Sequence, residues 1–201
     1  MRNIFLFLAP LLLCPLLTVG QTAEETSGLK NRSFETDLPR GATLRLHLHD
    51  GDFRIVGSDS EKISIHVTGK NAEQADHMEV HLKRADNTME LKLSHVPKKE
   101  LEVTIEIPKS TNLYARMLGG DLSILGITGD KDLELTAGDL TVQVGSPQDY
   151  SHVDLSVTYG DISGTQFGDP RGMVGNSLRK EGTGKYRLHA HVMAGDLVLK
   201  S

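Results

Sequence analysis

Residues 119–145, GGDLSILGITGDKDLELTAGDLTVQVG, carry the strongest structural signal in the sequence. Gly-Asp occurs in it at positions 120–121, 129–130 and 138–139, so the pair returns every nine residues. Nine residues suffice for a strand of about five residues and a corner, and two such half-turns make a rung of roughly 18 residues. Because one rung cannot bury its apolar face alone, the repeat predicts rungs that stack into a continuous core.

The rest of the chain carries the same signal in two forms. Further Gly-Asp pairs stand at positions 51–52, 160–161, 168–169 and 195–196. Strict alternation of apolar and polar residues marks five more segments, at 44–48, 63–67, 78–82, 89–93 and 101–107. Alternation with a period of two is typical of strands with one buried and one exposed face, and only Ala72 to His77 reads as helical.

These patterns predict an all-β fold. We expect a β-solenoid-like or two-sheet stacked β repeat with an antiparallel-rich N-terminal part, formed as a single domain by residues 35–201.

Composition excludes several functional classes. The 201 residues contain 22 Lys and Arg against 27 Asp and Glu, which gives a net charge of −5 and no basic block for nucleic acid. A single cysteine excludes an internal disulfide and a cysteine-based zinc cluster. Aromatic residues are 4% with no Trp, which argues against a stacking platform for bases or sugars.

The N-terminus predicts export. Arg2 precedes an apolar run from Ile4 to Leu17, and Gly20 ends a stretch of small residues. This order is typical of a cleaved signal peptide, here residues 1–20, followed by a polar, flexible leader over residues 21–34.

We therefore expect an exported protein, periplasmic or at the cell surface or extracellular, with no transmembrane span in the mature chain. Two alternatives stay open at this stage. One is an uncleaved anchor, although the apolar run is shorter than the roughly 20 residues that cross a bilayer. The other is lipidation at Cys14, although Leu13 stands where a small residue is wanted.

The Gly-Asp corners have two interpretations. In the structural one, Gly supplies a positive φ and the Asp carboxylate accepts a backbone N–H across the turn. In the other, stacked carboxylates bind calcium, because like charges about 4.8 Å apart repel unless partners compensate them. The structural interpretation is favoured, since the second glycine of calcium-binding nonapeptides is missing. It concerns Asp121, Asp139, Asp161 and Asp196.

Histidine pairs are the remaining candidates for chemistry. His47 and His49, like His189 and His191, lie two residues apart and so share one face of a strand. Such pairs suit zinc, but zinc needs three or four ligands and the sequence names no third. We therefore favour exposed polar positions, and assign no catalytic, cofactor-binding or metal residue and no cofactor. No nucleophile elbow is present, and we expect no enzyme.

Two segments carry a family resemblance. LPRGATLRLHLHDGDFRIVGSDSEKISIHVTGK (38–70) and LEVTIEIPKSTNLYARMLGGDLSILGITGDKDLELTAGDLTV (101–142) contain a strand before Gly51-Asp52, an I-P-K-x-x-N-L entry at 107–113 and the nine-spaced Gly-Asp copies. Over residues 35–200 the chain resembles the bacterial putative-adhesin family of exported β-repeat domains.

The resemblance implies a β-solenoid-like fold and an envelope or surface location, and it supplies no catalytic residues. We therefore expect a non-catalytic exported structural or interaction module whose partner is an unknown protein or polymer of the cell envelope. A ligand- or cation-binding envelope module and an enzyme acting on envelope polysaccharide remain the alternatives.

Overall fold

The computed structural model describes residues 23–70, 72–97, 101–172 and 175–201. The signal peptide predicted over residues 1–20 lies outside the described residues. Within these ranges the chain is nearly all β, as the alternation predicts, and the only helical segments described are two short 3₁₀ turns, Ala72–His77 and Pro147–Asp149. The first of these is the segment that the sequence singles out as helical.

Two groups of strands follow one another along the chain. The first group is β1 (Ala23–Gly28), β2 (Ser33–Asp37), β3 (Thr43–Asp50), β4 (Asp52–Ser58), β5 (Lys62–Gly69), β6 (Glu79–Ala85), β7 (Thr88–Ser94) and β8 (Leu101–Pro108). The second is β9 (Asn112–Gly119), β10 (Leu122–Leu125), β11 (Lys131–Ala137), β12 (Leu140–Gln143), β13 (Tyr150–Tyr159), β14 (Ile162–Ser163), β15 (Asn176–Glu181), β16 (Tyr186–Ala194) and β17 (Leu197–Lys200).

These strands form two stacked mixed sheets and not a closed barrel. The nine-stranded sheet has the order β1-β6-β7-β3-β9-β11-β16-β13-β15, and the eight-stranded sheet has the order β14-β17-β12-β10-β4-β8-β5-β2. Antiparallel pairing is concentrated among β1, β2 and β5 to β8, which agrees with the predicted antiparallel-rich N-terminal part.

The repeat builds the parallel centre of both sheets. Five strand pairs, each joined by a Gly-Asp corner, cross from the nine-stranded to the eight-stranded sheet and stack in parallel. Their order in space is β3–β4, β9–β10, β11–β12, β16–β17 and β13–β14, so the last pair in the chain lies between two earlier ones. Successive rungs follow the order of the chain only from β9 to β12, and the β-solenoid part of the prediction is not confirmed.

One hydrophobic core lies between the sheets. Leu44, Leu46 and Leu48 of β3 are buried, whereas Arg45 and His47 between them face away from the core. The same alternation holds in the other long strands, because each contributes one face to the core and one to solvent. The burial pattern of the sheets is therefore the one that the sequence periodicity predicts.

The N-terminal segment differs from the predicted leader. Residues 23–28 form β1, which pairs with β6 at the edge of the nine-stranded sheet, and β2 pairs with β5 at the edge of the eight-stranded sheet. Leu29 between them is buried. The sequence does not reveal β1 because an edge strand with both faces exposed has no apolar alternation, and β2 offers only Phe34 to the core.

Candidate functional site

The Gly-Asp corners form a single column along one end of the rungs. We call it the Gly-Asp column; in spatial order it contains the pairs 51–52, 120–121, 138–139, 195–196 and 160–161. Glycine is required at its centre. Gly138 has a φ of +123°, and a Cβ built there would lie 2.0 Å from the carbonyl oxygen of Gly120. Gly195 repeats this contact, with a Cβ 1.9 Å from the oxygen of Gly138.

The carboxylates of the column are held by the neighbouring rung. The backbone N–H of Asp196 donates to Oδ1 of Asp139 at 2.9 Å, and that of Asp161 donates to Oδ1 of Asp196 at 2.9 Å. The N–H of Asp139 donates to Oδ1 of Asp121 at 3.4 Å. Asp161 at the end of the series accepts the side-chain amide of Asn176 at 2.9 Å. Three carboxylates thus accept the backbone N–H that the sequence predicts, and the fourth accepts a side-chain donor.

The opposite end of the rungs explains the nine-residue spacing. Gly129-Asp130 lies there, half a turn away from the pairs at 120–121 and 138–139. The Asp130 N–H donates to Oδ1 of Asn112 at 3.1 Å, and Oδ1 of Asp130 accepts the N–H of Arg187 at 2.9 Å. The half-turn prediction is correct here, whereas Gly168-Asp169 stands in the loop between β14 and β15 and joins neither end.

A lysine is buried beside this opposite end. The side chain of Lys131 occupies a core position in register with Leu113 and Leu188, and the residue is 1% exposed. Its Nζ donates to the carbonyl of Gly129 at 3.0 Å and to the Tyr150 hydroxyl at 3.2 Å. Burial lowers the pKa of Lys131 to about 8, against the opposing pull of Asp130 and Asp149.

Tyr150 completes this internal group. Its hydroxyl donates to the carbonyl of Val144 at 2.8 Å, and its ring meets Phe167 edge-on with centroids 5.5 Å apart. Burial, assisted by Asp149 and Tyr186, raises the pKa of Tyr150 to about 12. The group is closed off from solvent and touches no acid within ion-pair distance among the described residues, which makes it a structural element of the core.

Among the described residues, charged, imidazole and aromatic side chains are most concentrated on the exposed face of the nine-stranded sheet. We call it the outer face. Two rows of side chains cross it in register. The first row is Glu90, Arg45, Tyr114, Asp132, His189, Asp154 and Arg179. The second row is Lys92, His47, Arg116, Glu134, His191 and Ser156.

Arg116 joins the two rows. Its Nη2 lies 2.9 Å from Oδ1 of Asp132 and its Nε lies 3.0 Å from Oε2 of Glu134, while Nη1 donates to two backbone carbonyls. On the other side of the two acids, His189 brings a ring nitrogen to within 4.8 Å of an oxygen of each. Asp132, Glu134 and His189 therefore converge, although 55 residues separate Glu134 from His189 in the sequence.

The other histidines of the predicted pairs are placed differently. His47 is exposed and its Nε2 lies 3.3 Å from Oε1 of Glu90, and His191 shares a hydrogen bond with the Ser156 hydroxyl at 2.8 Å. Both pairs lie on the outer face, as the alternation predicts. Neither pair assembles a site from its own two imidazoles.

Two depressions and two exposed apolar side chains complete the outer face. A depression of about 500 Å³ is bordered by His47, Glu90, Arg116 and Glu134 among others. A second one of about 250 Å³ is bordered by Tyr114, Asp132, His189 and Asp154 among others. Leu118 and Met193 are 54% and 49% exposed on strands that flank β11. The combination of aromatic, Arg and Met side chains is typical of contact surfaces.

This arrangement does not suit acid–base hydrolysis. A glycoside hydrolase needs one carboxyl group that stays protonated beside one that is ionised. Asp132 and Glu134 are instead both ion-paired with the same guanidinium, that of Arg116, at 2.9 and 3.0 Å. The outer face offers charged contacts and metal ligands more readily than a general acid.

Asp132 and Glu134 are the residues that sequence reasoning missed. Their signal is present in KDLEL (131–135), where two acids alternate with leucines and so share the exposed face. The sequence does not show which strand lies next to β11. That strand is β16, although β13 to β15 come before it in the chain. No local pattern specifies such an insertion of one strand beside another.

Comparison with known proteins gives structural neighbours only. No protein-family model and no curated protein matches the chain. The crystal structure of a putative cell adhesion protein from Clostridium sporogenes is similar with a TM-score of 0.50 and 15% identity, over 90% of this chain and 99% of that one. A putative adhesin from Bacteroides fragilis matches with a TM-score of 0.29 and 9% identity, over 88% of this chain and 97% of that one.

The resemblance predicted from the sequence is thus confirmed at the level of the fold. The chain shares the fold of a solved protein that is described as a putative cell adhesion protein. Separately, no helix within the described ranges is long and apolar enough to cross a bilayer.

Proposed function

We propose that the chain is a non-catalytic, exported interaction module that presents the outer face of the nine-stranded sheet to a protein or polymer of the cell envelope. The signal-peptide pattern of residues 1–20 supports export to the periplasm or the cell surface. The stacked rungs act as the scaffold, because their glycines and carboxylates are consumed by contacts within the fold.

The observation that carries the proposal is the asymmetry between the two exposed sheet faces. The outer face holds two rows of charged, imidazole and aromatic side chains, two depressions, and the exposed Leu118 and Met193. Arg45 lies over the Tyr114 ring at 4.7 Å from its centroid, which fixes a flat amphipathic platform. Fixed aromatic and Arg side chains lose little entropy on contact with a partner.

On the eight-stranded sheet, two outward positions at the centre of the Gly-Asp column are small, and Arg54, in register beside them on β4, is ion-paired with Glu102. Ser123 and Thr141 occupy neighbouring positions on β10 and β12, back to back with the outer face. This face is therefore the natural control surface, since it belongs to the same rungs and also faces solvent.

Site-specific cross-linking from the exported protein tests the proposal. A photoreactive residue replaces Thr136, which lies between Leu118 and Met193, and in a second variant it replaces Thr141. Irradiation of native envelopes is expected to give a defined adduct from position 136 and none from position 141. Equal labelling from both positions, or none from 136, contradicts the proposal, and N-terminal sequencing of the bait checks cleavage after Gly20.

A cation-binding module is the second candidate. The convergence of Asp132, Glu134 and His189 favours it. It is compatible with an interaction module, because the same face carries both features.

A further inference from the structure

We propose that Asp132, Glu134 and His189 form a binding site for a divalent transition-metal ion of the zinc class. The proposal does not depend on the interaction function, since it concerns an ion and not the partner. Two carboxylates and one imidazole are a donor set that zinc accepts, and three protein ligands leave a fourth position open.

The geometry is close to that of a bound ion. The candidate ligand atoms of the three side chains lie within 4.8 Å of one another. Three ligand atoms that each lie about 2.1 Å from one tetrahedral ion are about 3.4 Å apart. The three side chains must therefore close in by roughly 1 Å to share one ion, a shift that side-chain torsions can supply.

His189 is the residue that points to a ligand. Among the described residues no hydrogen bond or ion pair reaches its ring, although the residue is half-buried. His47, His81, His152 and His191 on the same sheet have a side-chain partner, and His49, for which none is described, is exposed at the end of β3. His189 instead lies between Asp132 on β11 and Asp154 on β13, at the wall of the smaller depression.

Arg116 prepares the two acids for this role. It binds Oδ1 of Asp132 and Oε2 of Glu134, and the second oxygen of each carboxylate has no partner among the described residues. Two carboxylates against one guanidinium leave the cluster with a formal charge of −1 when His189 is neutral. Hydrogen bonds that orient ligating carboxylates are a regular feature of metal sites.

The ion class follows from the donors. A neutral imidazole binds zinc, copper, nickel or cobalt well and contributes little to calcium or magnesium, which select oxygen ligands. The depression beside the cluster, about 250 Å³ in volume, leaves room for a water or an external ligand at the open position. The site is therefore expected to discriminate Zn²⁺ from Ca²⁺.

Isothermal titration of the tag-free exported chain with Zn²⁺ alone tests the proposal. One saturable site per chain is expected, with no heat from Ca²⁺ at the same concentration. The substitutions His189→Gln and Asp132→Asn are expected to weaken Zn²⁺ binding at least tenfold each. His191→Gln is the matched control, because His191 lies two residues further along β16 and is bonded to Ser156; it is expected to change Zn²⁺ affinity less than twofold.

Three results overturn the proposal: no saturable Zn²⁺ binding by the parent chain, unchanged affinity in His189→Gln, or an equal loss in His191→Gln. If a variant fails to fold, ¹⁵N-histidine spectra of the parent chain give the answer. Substoichiometric Zn²⁺ then has to perturb one imidazole selectively, and a uniform shift of all imidazoles counts against the site.

Discussion

The two ends of the stacked rungs accommodate their charged side chains in opposite ways. At the Gly-Asp column the carboxylates remain exposed, and each of three accepts a backbone N–H from the adjacent rung. Near the opposite end Lys131 is 1% exposed and keeps two hydrogen bonds, to the carbonyl of Gly129 and the hydroxyl of Tyr150. At the column, repeated carboxylates are stabilised by hydrogen bonds. At the opposite end, the single ammonium of Lys131 has no carboxylate within ion-pair distance among the described residues.

The two ends therefore contribute to the stability of the fold through different physical effects. A repeated backbone contact tolerates no side chain, so the stability of the column depends on sterics. A buried ammonium without a carboxylate partner costs free energy whenever it is charged, so the Lys131 end depends on protonation. A substitution at one end therefore leaves the other end as an internal reference.

The largest effect is expected from Gly138→Val in the Gly-Asp column. The substitution places a β-branched residue at a φ of +123° with its Cβ 2.0 Å from the Gly120 carbonyl oxygen. Backbone strain of about 1–3 kcal/mol adds to a clash with main chain that cannot rotate away. We expect a loss of about 3–5 kcal/mol in the free energy of unfolding, measured by urea denaturation.

Gly168→Val separates strain from clash. Gly168 has a φ of +131°, but a Cβ added there would meet no other atom within 4 Å. Its substitution is expected to cost only the strain, about 1–3 kcal/mol. Equal losses at the two positions contradict the view that close stacking of rungs, and not φ alone, selects glycine in the column.

The next effect is a pH dependence that arises at Lys131. Its pKa is about 8 in the folded chain against an ordinary value of 10.5. The unfolded chain therefore binds more protons between pH 8 and 10.5, and the free energy of unfolding rises with pH across this window. The expected rise is about 3 kcal/mol, because each pKa unit corresponds to about 1.4 kcal/mol.

Tyr150 sets the upper limit of this rise. Its pKa is about 12 in the folded chain against an ordinary value of 10.0, so above pH 10 the unfolded chain loses the phenolic proton first and stability falls. Urea denaturation from pH 7 to 11 is therefore expected to show maximum stability near pH 10. The control Lys131→Met removes the rise and stabilises the chain at pH 7 by about 1–3 kcal/mol; a rise that persists in this variant assigns it to another group.

The contrast between the two ends also shows what the sequence can predict. The column is predictable because the need for glycine at each corner recurs in the sequence. GGD, AGD and YGD each follow an alternating run. Lys131 is not predictable as a buried residue. In KDLEL the alternation places it on the core face, but a lone lysine at a strand end normally faces solvent.

The same reasoning applies to the candidate metal cluster. His189 and its neighbour His191 are visible in the sequence as a pair on one face. Which strand lies beside β16 depends on the insertion of the β16–β17 rung between two earlier rungs, and similar repeats make several insertions equally compatible with the local pattern. The order of the strands in the sheet, and not local propensity, therefore brings Asp132 and Glu134 close to His189.

The smallest effect is expected from the carboxylates of the column, and it decides between their two interpretations. Asp139 Oδ1 accepts the N–H of Asp196 at 2.9 Å in an exposed corner. Asp139→Ala is expected to cost about 1 kcal/mol, since water can replace the lost acceptor, and this corresponds to a fall of about 2–4 °C in the melting temperature. Asp139→Asn keeps an acceptor oxygen and relieves repulsion with Asp121 and Asp196, so we expect a smaller change.

A calcium-dependent gain in stability would contradict the structural interpretation of the column. If the column were a cation site, a hundredfold excess of calcium over its Kd would add about 2.7 kcal/mol to the stability of the parent chain. Because the carboxylates already accept hydrogen bonds from the adjacent rung, thermal melts with chelator and with millimolar calcium are expected to coincide. A calcium-dependent rise that disappears in Asp139→Asn would show that the column binds cations and that its hydrogen bonds only hold the ligands in place.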